Sequence, residues 1–313
     1  MPTVLITGGT GLIGTSLSKM LLSQGYNVII LTRSSSIKLS NYSFQDSSIS
    51  CAQWNIENET IDEHAVAKAD YIIHLAGANI GEKRWTEKRK KEIVDSRVKS
   101  SALIVKALKE IPNKVKAVIS ASAIGWYGHE GVNRSFFKGG SFKEDAPPSN
   151  DFLGQTCKQW EDAIKPVQTL GKRLVILRQG IVLSNDGGAL TEFKKPLKFG
   201  MATILGNGKQ TMSWIHIEDL CRMYLHALTT AIEGVFNAVA PQPTNNKTFT
   251  LQLAKKLRGK FFISVRVPSF ALKIALGEVS IEVLKSATVS CQKIQSAGFR
   301  FLYPTVEDAL KSL

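Results

Sequence analysis

Cysteine is scarce in this chain of 313 residues. The four present, Cys51, Cys157, Cys221 and Cys291, lie far apart with no C-x-x-C pair. That spacing argues against a zinc site or a disulfide framework and fits reduced thiols in a cytoplasmic protein. Long apolar runs are also missing: none reaches the ~18 residues that a membrane span needs. No charged and then apolar leader precedes the opening "MPTVLITGG", so no secretory signal is expected. Acidic residues are few, 26 against 40 Lys and Arg, which leaves a net charge of +14. The basic clusters "EKRWTEKRKKE" (82–92) and "AKKLRGK" (254–260) do not alternate with aromatics as a stacking platform for bases would. No helix-turn-helix or zinc pattern accompanies them. They read as solvated basic helix faces, with part of the charge available to an anionic ligand, and neither a nucleic-acid nor a membrane partner is expected.

What is present is ample apolar material, 43% of the residues, enough for one large domain or two moderate ones. In the first half short apolar runs alternate with helix-like patterns. "TVLIT" (3–7), "NVIIL" (27–31), "YIIHLA" (71–76), "KAVISAS" (116–122) and "RLVILRQG" (173–180) are continuously apolar, as strands covered by helices on both faces must be. With helices between them, they predict an α/β fold with a doubly wound parallel sheet. After Ser184 the chain becomes loop-rich and glycine-punctuated. A helix over 218–229, a short strand "GVFNAVA" (234–240) and the break "PQPTNN" follow. The tail carries a helix opened by Asn246 or Thr248 and a strand "FFISVRVP". We expect two units, 1–240 and 241–313, the second a small α/β cap over the carboxyl ends of the sheet, with segment 184–212 contributing to the substrate side.

"VLITGGTGLIG" sets glycines between the first strand and the first helix. Both Gly9-x-Gly11-x-x-Gly14 and the shifted Gly8-x-x-Gly11-x-x-Gly14 fit the dinucleotide fingerprint, with Thr10, Leu12 and Ile13 in the same loop. Glycine permits the tight turn and lets backbone N–H groups approach a pyrophosphate at the helix N-terminus. The second strand ends in Thr32 and Arg33, followed by three serines, where an NAD site usually has Asp or Glu for the ribose 2′-hydroxyl. A guanidinium suits a 2′-phosphate, so NADP(H) is the expected cofactor. On the helix 86–110, Ile93, Arg97, Ser100, Ile104 and Leu108 share one face. An arginine on a face toward the core needs a partner. A cofactor phosphate and an internal carboxylate are both open.

These features, with "HLAGANI" (74–80), "SASAIGWYG" (120–128), "LRQGIVLS" (177–184) and "WIHIEDL" (214–220), make the chain resemble an extended short-chain dehydrogenase/reductase. More narrowly it resembles a bacterial branch called "epimerase family protein", sometimes labelled a cell-division inhibitor. The resemblance covers nearly the whole chain, through "GANIGEKRWTEKRKKEI", "GNGKQTMSWIHIEDL" and "GFRFLYPTVEDAL" among others. It implies an NADP(H)-binding Rossmann fold and a C-terminal domain without an assigned role. By position it implies that Thr32 and Arg33 meet the adenosine 2′-phosphate end. Leu75, Ala76 and Gly77 would line the cofactor through backbone, Glu92 and Arg97 would contact it from the following helix, and Val182 would approach the nicotinamide half.

Ordinary members of that superfamily use a serine after the fifth strand and Tyr-x-x-x-Lys on the next helix, where the lysine lowers the tyrosine pKa. Ser122 matches the serine. In "NDFLGQTCKQWE" (150–161) the tyrosine and lysine slots hold Leu153 and Cys157. Tyr127 is the substitute proton donor or a wall residue. Cys157 is a nucleophile only if a cation lowers its pKa, and otherwise an inert buried thiol. His216 and Asp219 read as a pair fixing a strand-to-helix corner. Met212 and Ser213 stand where nucleotide-sugar epimerases tend to carry an arginine and an aspartate. With Trp126 and Trp214, Met212 points to a more apolar pocket. The expected function is an NADP(H)-dependent oxidoreductase or epimerase acting on a small substrate. The alternative is an NADPH-binding sensor or interaction protein without turnover.

Overall fold

The computed structural model describes residues 1–33, 48–131, 137 and 140–313. Strands β1 (Thr3–Thr7), β2 (Asn27–Thr32), β3 (Ile49–Asn55), β4 (Thr60–Ile61), β5 (Tyr71–His74), β6 (Ala117–Ala123) and β7 (Arg173–Gln179) alternate with helices α1 (Leu12–Ser23), α2 (Glu63–Lys68), α3 (Glu87–Glu110) and α4 (Phe152–Ile164). Short strands β8 (Ile181–Ser184) and β9 (Gly187–Gly188) lead to α5 (Ala189–Leu197). Strands β10 (Met201–Leu205), β11 (Thr211–Met212) and β12 (Trp214–His216) then enter α6 (Ile217–Thr229) and β13 (Gly234–Ala238). The tail holds β14 (Thr244–Asn245), α7 (Asn246–Arg258), β15 (Ile263–Val267), α8 (Ser269–Leu276), α9 (Val279–Leu284), α10 (Gln292–Ser296) and α11 (Val306–Ser312).

One eight-stranded sheet carries the fold, in the order β13-β7-β6-β5-β1-β2-β3-β4. It is parallel except at the β3–β4 pair. The strand order reverses between β1 and β5, so a crevice opens there at the carboxyl ends, where doubly wound sheets bind ligands. Val4, Ile6, Ile30, Ile73, Ile119 and Val175 face one packed layer, and Leu5, Leu31, Ile72, Val118, Leu174 and Ile176 the other. This is why the runs are apolar at every position. Strand β3, "ISCAQWN", was not among the predicted runs. Only Ile49 and Trp54 in it are buried, so its pattern lacks the double-faced signature.

The tail shares its buried side chains with the rest of the molecule. Phe249, Leu253, Val306 and Leu310 pack with Leu183, Leu197 and Trp214, while Val289, Ile294 and Phe299 join the cluster around Phe236. Helix α7 is capped one residue earlier than predicted: the Asn245 side-chain oxygen Oδ1 accepts from Thr248 N at 2.8 Å. The tail also reaches the loops that leave the carboxyl ends of β5 and β6. Lys90 pairs with Glu278 at 2.7 Å and Asp151 with Lys285 at 3.2 Å.

Asp219 is the firmest tether. It is fully buried and its carboxylate accepts from Leu302 N, Tyr303 N and Arg222 Nη1, all at 2.9 Å. His216 caps α6 separately, its Nδ1 accepting from Glu218 N at 3.2 Å. The predicted corner is real, but Asp219 serves the tail. Asp219→Ala leaves two backbone donors unsatisfied and is expected to cost about 2–4 kcal/mol of folding stability. Urea denaturation measures this, and an unchanged midpoint with an unchanged slope would contradict it.

Candidate functional site

The site begins with the turn between β1 and α1. Gly8 has φ +67°, and a Cβ there would meet the backbone of Leu75 at 2.9 Å. Gly14 abuts Gly8 O and Gly9 so closely that a Cβ would sit 2.4 Å from the former. At Gly9 a Cβ would meet Ile30 at 2.8 Å. Gly11 differs, since nothing but Gly8 O, at 3.3 Å, comes near its Cβ position. Gly11 is also the N-cap of α1, with no side-chain cap and no acidic residue in the first turn. The loop thus has three glycines forced by packing and one open toward the crevice. Exposed Thr10 and half-buried Leu12 and Ile13 complete it. Leu12 touches the β8–β9 turn: a Cβ on Gly188 would lie 3.1 Å from Leu12 Cδ2 and 3.7 Å from Val182 O. Val182 therefore borders the same crevice.

Across the crevice, a buried relay fixes the loop after β5. Thr7 Oγ1 accepts from Leu75 N and Ala76 N, each at 3.1 Å, and contacts His74 Nδ1 at 2.8 Å. His74 Nε2 reaches Ser101 Oγ at 3.0 Å. With Thr7 donating to Nδ1, the proton on the ring sits at Nε2. Burial, and then the charge of Arg97, lower the His74 pKa from its ordinary 6.5 to about 3. The imidazole is neutral, and the relay orients backbone rather than moving protons. Lone polar residues ending two apolar strands were the available sequence signal for it.

Arg97 settles beside exposed Gly77. Its Nη1 donates to Ile93 O at 2.9 Å and Nη2 to Ala78 O at 3.2 Å, with the guanidinium carbon 5.0 Å from the Trp160 ring centroid. Among the described residues it forms no ion pair with a carboxylate. Of the two partners left open by the sequence, the internal carboxylate is absent there. Trp160 Nε1, buried against it, has no hydrogen-bond partner among the described residues. Glu92 is turned to Arg89 at 2.8 Å. At the far end of the crevice Thr32 is buried and Arg33 exposed. Arg33 lines a hollow of about 420 Å³ with Gln53, Asn55 and Asp62. The three serines after Arg33 lie outside the described residues.

The expected catalytic groups are placed otherwise than a proton donor requires. Tyr127 is fully buried, its hydroxyl donating to Asn237 Oδ1 at 2.6 Å and accepting from Arg178 Nη1 at 3.0 Å. Burial pushes its pKa up. It stacks on Phe142, the placement of a wall residue. Ser122 Oγ donates to Glu161 Oε1 at 2.7 Å. That carboxylate also takes Arg178 Nε at 2.8 Å and Nη2 at 3.0 Å. The Arg178 guanidinium carbon lies 3.7 Å from the Trp126 ring centroid. The pair went unread in the sequence, although Arg178 inside the apolar run "RLVILRQG" demanded a partner.

Leu153 and Cys157, in the tyrosine and lysine slots, are packing. A Cβ on Gly125 would lie 3.2 Å from Leu153 and 3.7 Å from Cys157 Sγ. Cys157 contacts Ala123 O at 3.6 Å, and burial first, then Glu161, raise its pKa to about 12. The predicted apolar pocket needs correction as well. Trp214 is fully buried with its Nε1 on Gln242 O at 2.9 Å, and Met212 is core. Ser213 Oγ bridges Ala287 O at 2.9 Å and Val289 N at 3.0 Å, clamping the tail. No group of three or more His, Cys, Asp or Glu suited to a metal occurs among the described residues. No described helix is long and apolar enough to cross a membrane.

With this geometry, the likenesses to known proteins are informative. Residues 4–150 match the NAD dependent epimerase/dehydratase family, and residues 267–313 a domain of unknown function, DUF1731. An "Epimerase family protein" of Staphylococcus saprophyticus is 37% identical over 99% of this chain and 98% of its own length. Epimerase family protein YfhF of Bacillus subtilis is 34% identical over 99% and 97%. Among solved structures, the human epimerase family protein SDR39U1, crystallised with NADPH, superposes with a TM-score of 0.83 at 28% identity, over 99% of this chain and 98% of that one. UDP-glucuronic acid 4-epimerase of Bacillus cereus, at 22% identity and a TM-score of 0.79, shares the fold. The chain belongs to the epimerase family.

Two outcomes test the site. Stability contributed by neutral His74 is present above pH 6.5 and is lost as pH falls toward 3, by about 1.4 kcal/mol per pH unit. His74→Asn should flatten that acid limb in pH-dependent melts, and an unchanged limb would contradict it. A Cys157 pKa near 12 leaves almost no thiolate at pH 8. Iodoacetamide should therefore leave Cys157 unlabelled in the native protein, and Cys157→Ala should leave ligand binding intact.

Proposed function

We propose, from that family membership, that the chain binds NADP(H) in the crevice between β1 and β5. The reading goes on to an epimerase- or reductase-like protein of the extended short-chain dehydrogenase/reductase type, acting on a small substrate. The observation that carries it is the pairing of an open, uncapped glycine cradle with an arginine that lacks a carboxylate. Gly11 leaves room at the N-terminus of α1, where N–H groups and the helix dipole hold a pyrophosphate. Arg97 sits across the crevice, and a half-buried cation without an anionic partner is costly until an anion arrives. Leu75, Ala76, Gly77 and Val182 present backbone to the same space. The human relative solved with NADPH supports the phosphorylated cofactor, and Arg33, which follows the last residue of β2, supports it independently. The division into a dinucleotide-binding unit, 1–240, and a cap, 241–313, belongs to the same proposal.

Bound there, a nicotinamide supplies hydride chemistry. The chain's own residues orient it and exclude water, and they offer little acid–base help. Tyr127 and Cys157 are sealed with raised pKa values, and Ser122 spends its proton on Glu161. Turnover then draws its proton from the substrate or from water near Ser122. A second reading, an NADPH-binding sensor without turnover, is favoured by the same commitment of Ser122 and Tyr127. NADPH consumption on adding small carbonyl substrates or cell extracts separates the two.

The cofactor choice is tested at Arg33. Arg33→Asp should weaken NADPH binding by about 2–4 kcal/mol, as for a truncated charge pair, and weaken NADH binding much less. Fluorescence titration with both cofactors measures it. Equal losses would show that Arg33 does not read the 2′-phosphate.

A further inference from the structure

The crevice absorbs neither the tail's charge nor its exposed apolar side chains. From Gly234 to Gly277 the chain has no Asp or Glu, yet it carries Lys247, Lys255, Lys256, Arg258, Lys260, Arg266 and Lys273. None of these seven forms an ion pair among the described residues, whereas many lysines of α3 and α4 do. The same stretch exposes large apolar groups: Phe261 is 87% exposed, Ile263 66%, Phe270 67% and Ile274 70%.

These side chains belong to one construction. Strands β10 and β15 pair in parallel, with Met201 beside Ile263 and Thr203 beside Val265. The intervening Ala202 and Ile204 are buried against α5 and α7. Side chains alternate across a sheet, so Met201, Ile263 and Val265 form the outward row. Phe199 and Phe261 stand at its start, both more than three-quarters exposed. After Pro268 the chain enters α8, whose Phe270 and Ile274 are four residues apart and share a face. Helix α8 is tied to the segment before α3, since Arg84 donates through Nε to Ala275 O at 3.2 Å.

We propose that this face docks on an anionic lipid surface. Exposed aromatic and aliphatic groups beside lysines that form no ion pair among the described residues, Lys260 and Lys273, match an interface that is apolar within and negative at its headgroups. A second copy of the chain would bring Lys260 and Lys273, which neighbour exposed Phe261 and Ile274 in the chain, against the same cations. Nucleic acid would neutralise the cations but leave Ile263 and Ile274 in water. The expectation that the protein has no membrane partner rests on the lack of a spanning run, and docking on a surface needs none.

Cosedimentation of the full chain with vesicles tests it. The protein should pellet with phosphatidylcholine vesicles containing phosphatidylglycerol and not with phosphatidylcholine alone, and added salt should weaken the binding. Phe261→Ser and Phe270→Ser should each reduce partitioning about tenfold, and Lys260→Glu by several-fold. All three sites are exposed, and a melt confirms folding of each variant. Failure to pellet with anionic vesicles would overturn the proposal. So would a dimer in sedimentation equilibrium that Phe261→Ser dissociates, or DNA binding lost in Lys260→Glu while the vesicle arm stays empty.

Discussion

The carboxylate of Glu161 lies inside the protein with three donors on it, two from Arg178 and one from Ser122. Both charged side chains are almost fully buried, at 1% and 3% exposure. Desolvating such a pair costs more than an exposed bridge can return. It persists here because nearly every polar atom is satisfied and because the Trp126 face covers the guanidinium. Its consequence is geometric. Glu161 belongs to α4, Ser122 ends β6 and Arg178 ends β7, so the pair fixes the helix against the carboxyl ends of two neighbouring strands. Removing one partner would strand the other charge, at a cost of about 3–5 kcal/mol.

That constraint also shapes the chemistry. In a tyrosine–lysine site, a nearby cation lowers the pKa of an exposed phenol. Here the cation is Arg178, and it is spent on a buried carboxylate. Tyr127, which also contacts Arg178, is closed off behind Phe142, and Cys157 is lined against Ala123 O. The positions around the end of β6 form a packed, hydrogen-bonded wall. The opposite side of the crevice keeps the shape of a phosphate cradle, held by Gly8, Gly14 and the Thr7–His74–Ser101 relay. The glycine turn stays open at Gly11, while Ser122, Tyr127 and Cys157 are held in buried contacts.

The sequence made the parallel sheet legible because strands buried on both faces are apolar throughout, and β1, β2, β5, β6 and β7 are such strands. Strand β3 escaped because only Ile49 and Trp54 in it are buried, which leaves exposed Ser50, Gln53 and Asn55 in the pattern. The glycine loop was legible from its spacing, although the packing that forces Gly8 and Gly9 comes from Leu75 and Ile30, far along the chain. The partners of isolated polar residues were not. Arg178 and Glu161 are 17 residues apart, and Asp219 meets residues more than 80 positions away, distances at which periodicity carries no information. Trp214 and Met212 misled for a related reason. An apolar residue in a glycine-rich loop can line a pocket or seal a core, and only the packing of β8, α7 and α11 around them decides.

The central claim is that this protein keeps an NADP(H) cradle facing a wall without an acid–base group. A crystal structure of the NADPH complex tests it most directly. The account predicts the pyrophosphate on the α1 N-terminus at Gly11, the 2′-phosphate on Arg33, and no phenol, amine or thiolate within ~3.5 Å of nicotinamide C4, the near-attack distance. Tyr127 drawn out of its contacts with Asn237 and Arg178 and placed against C4 would contradict it.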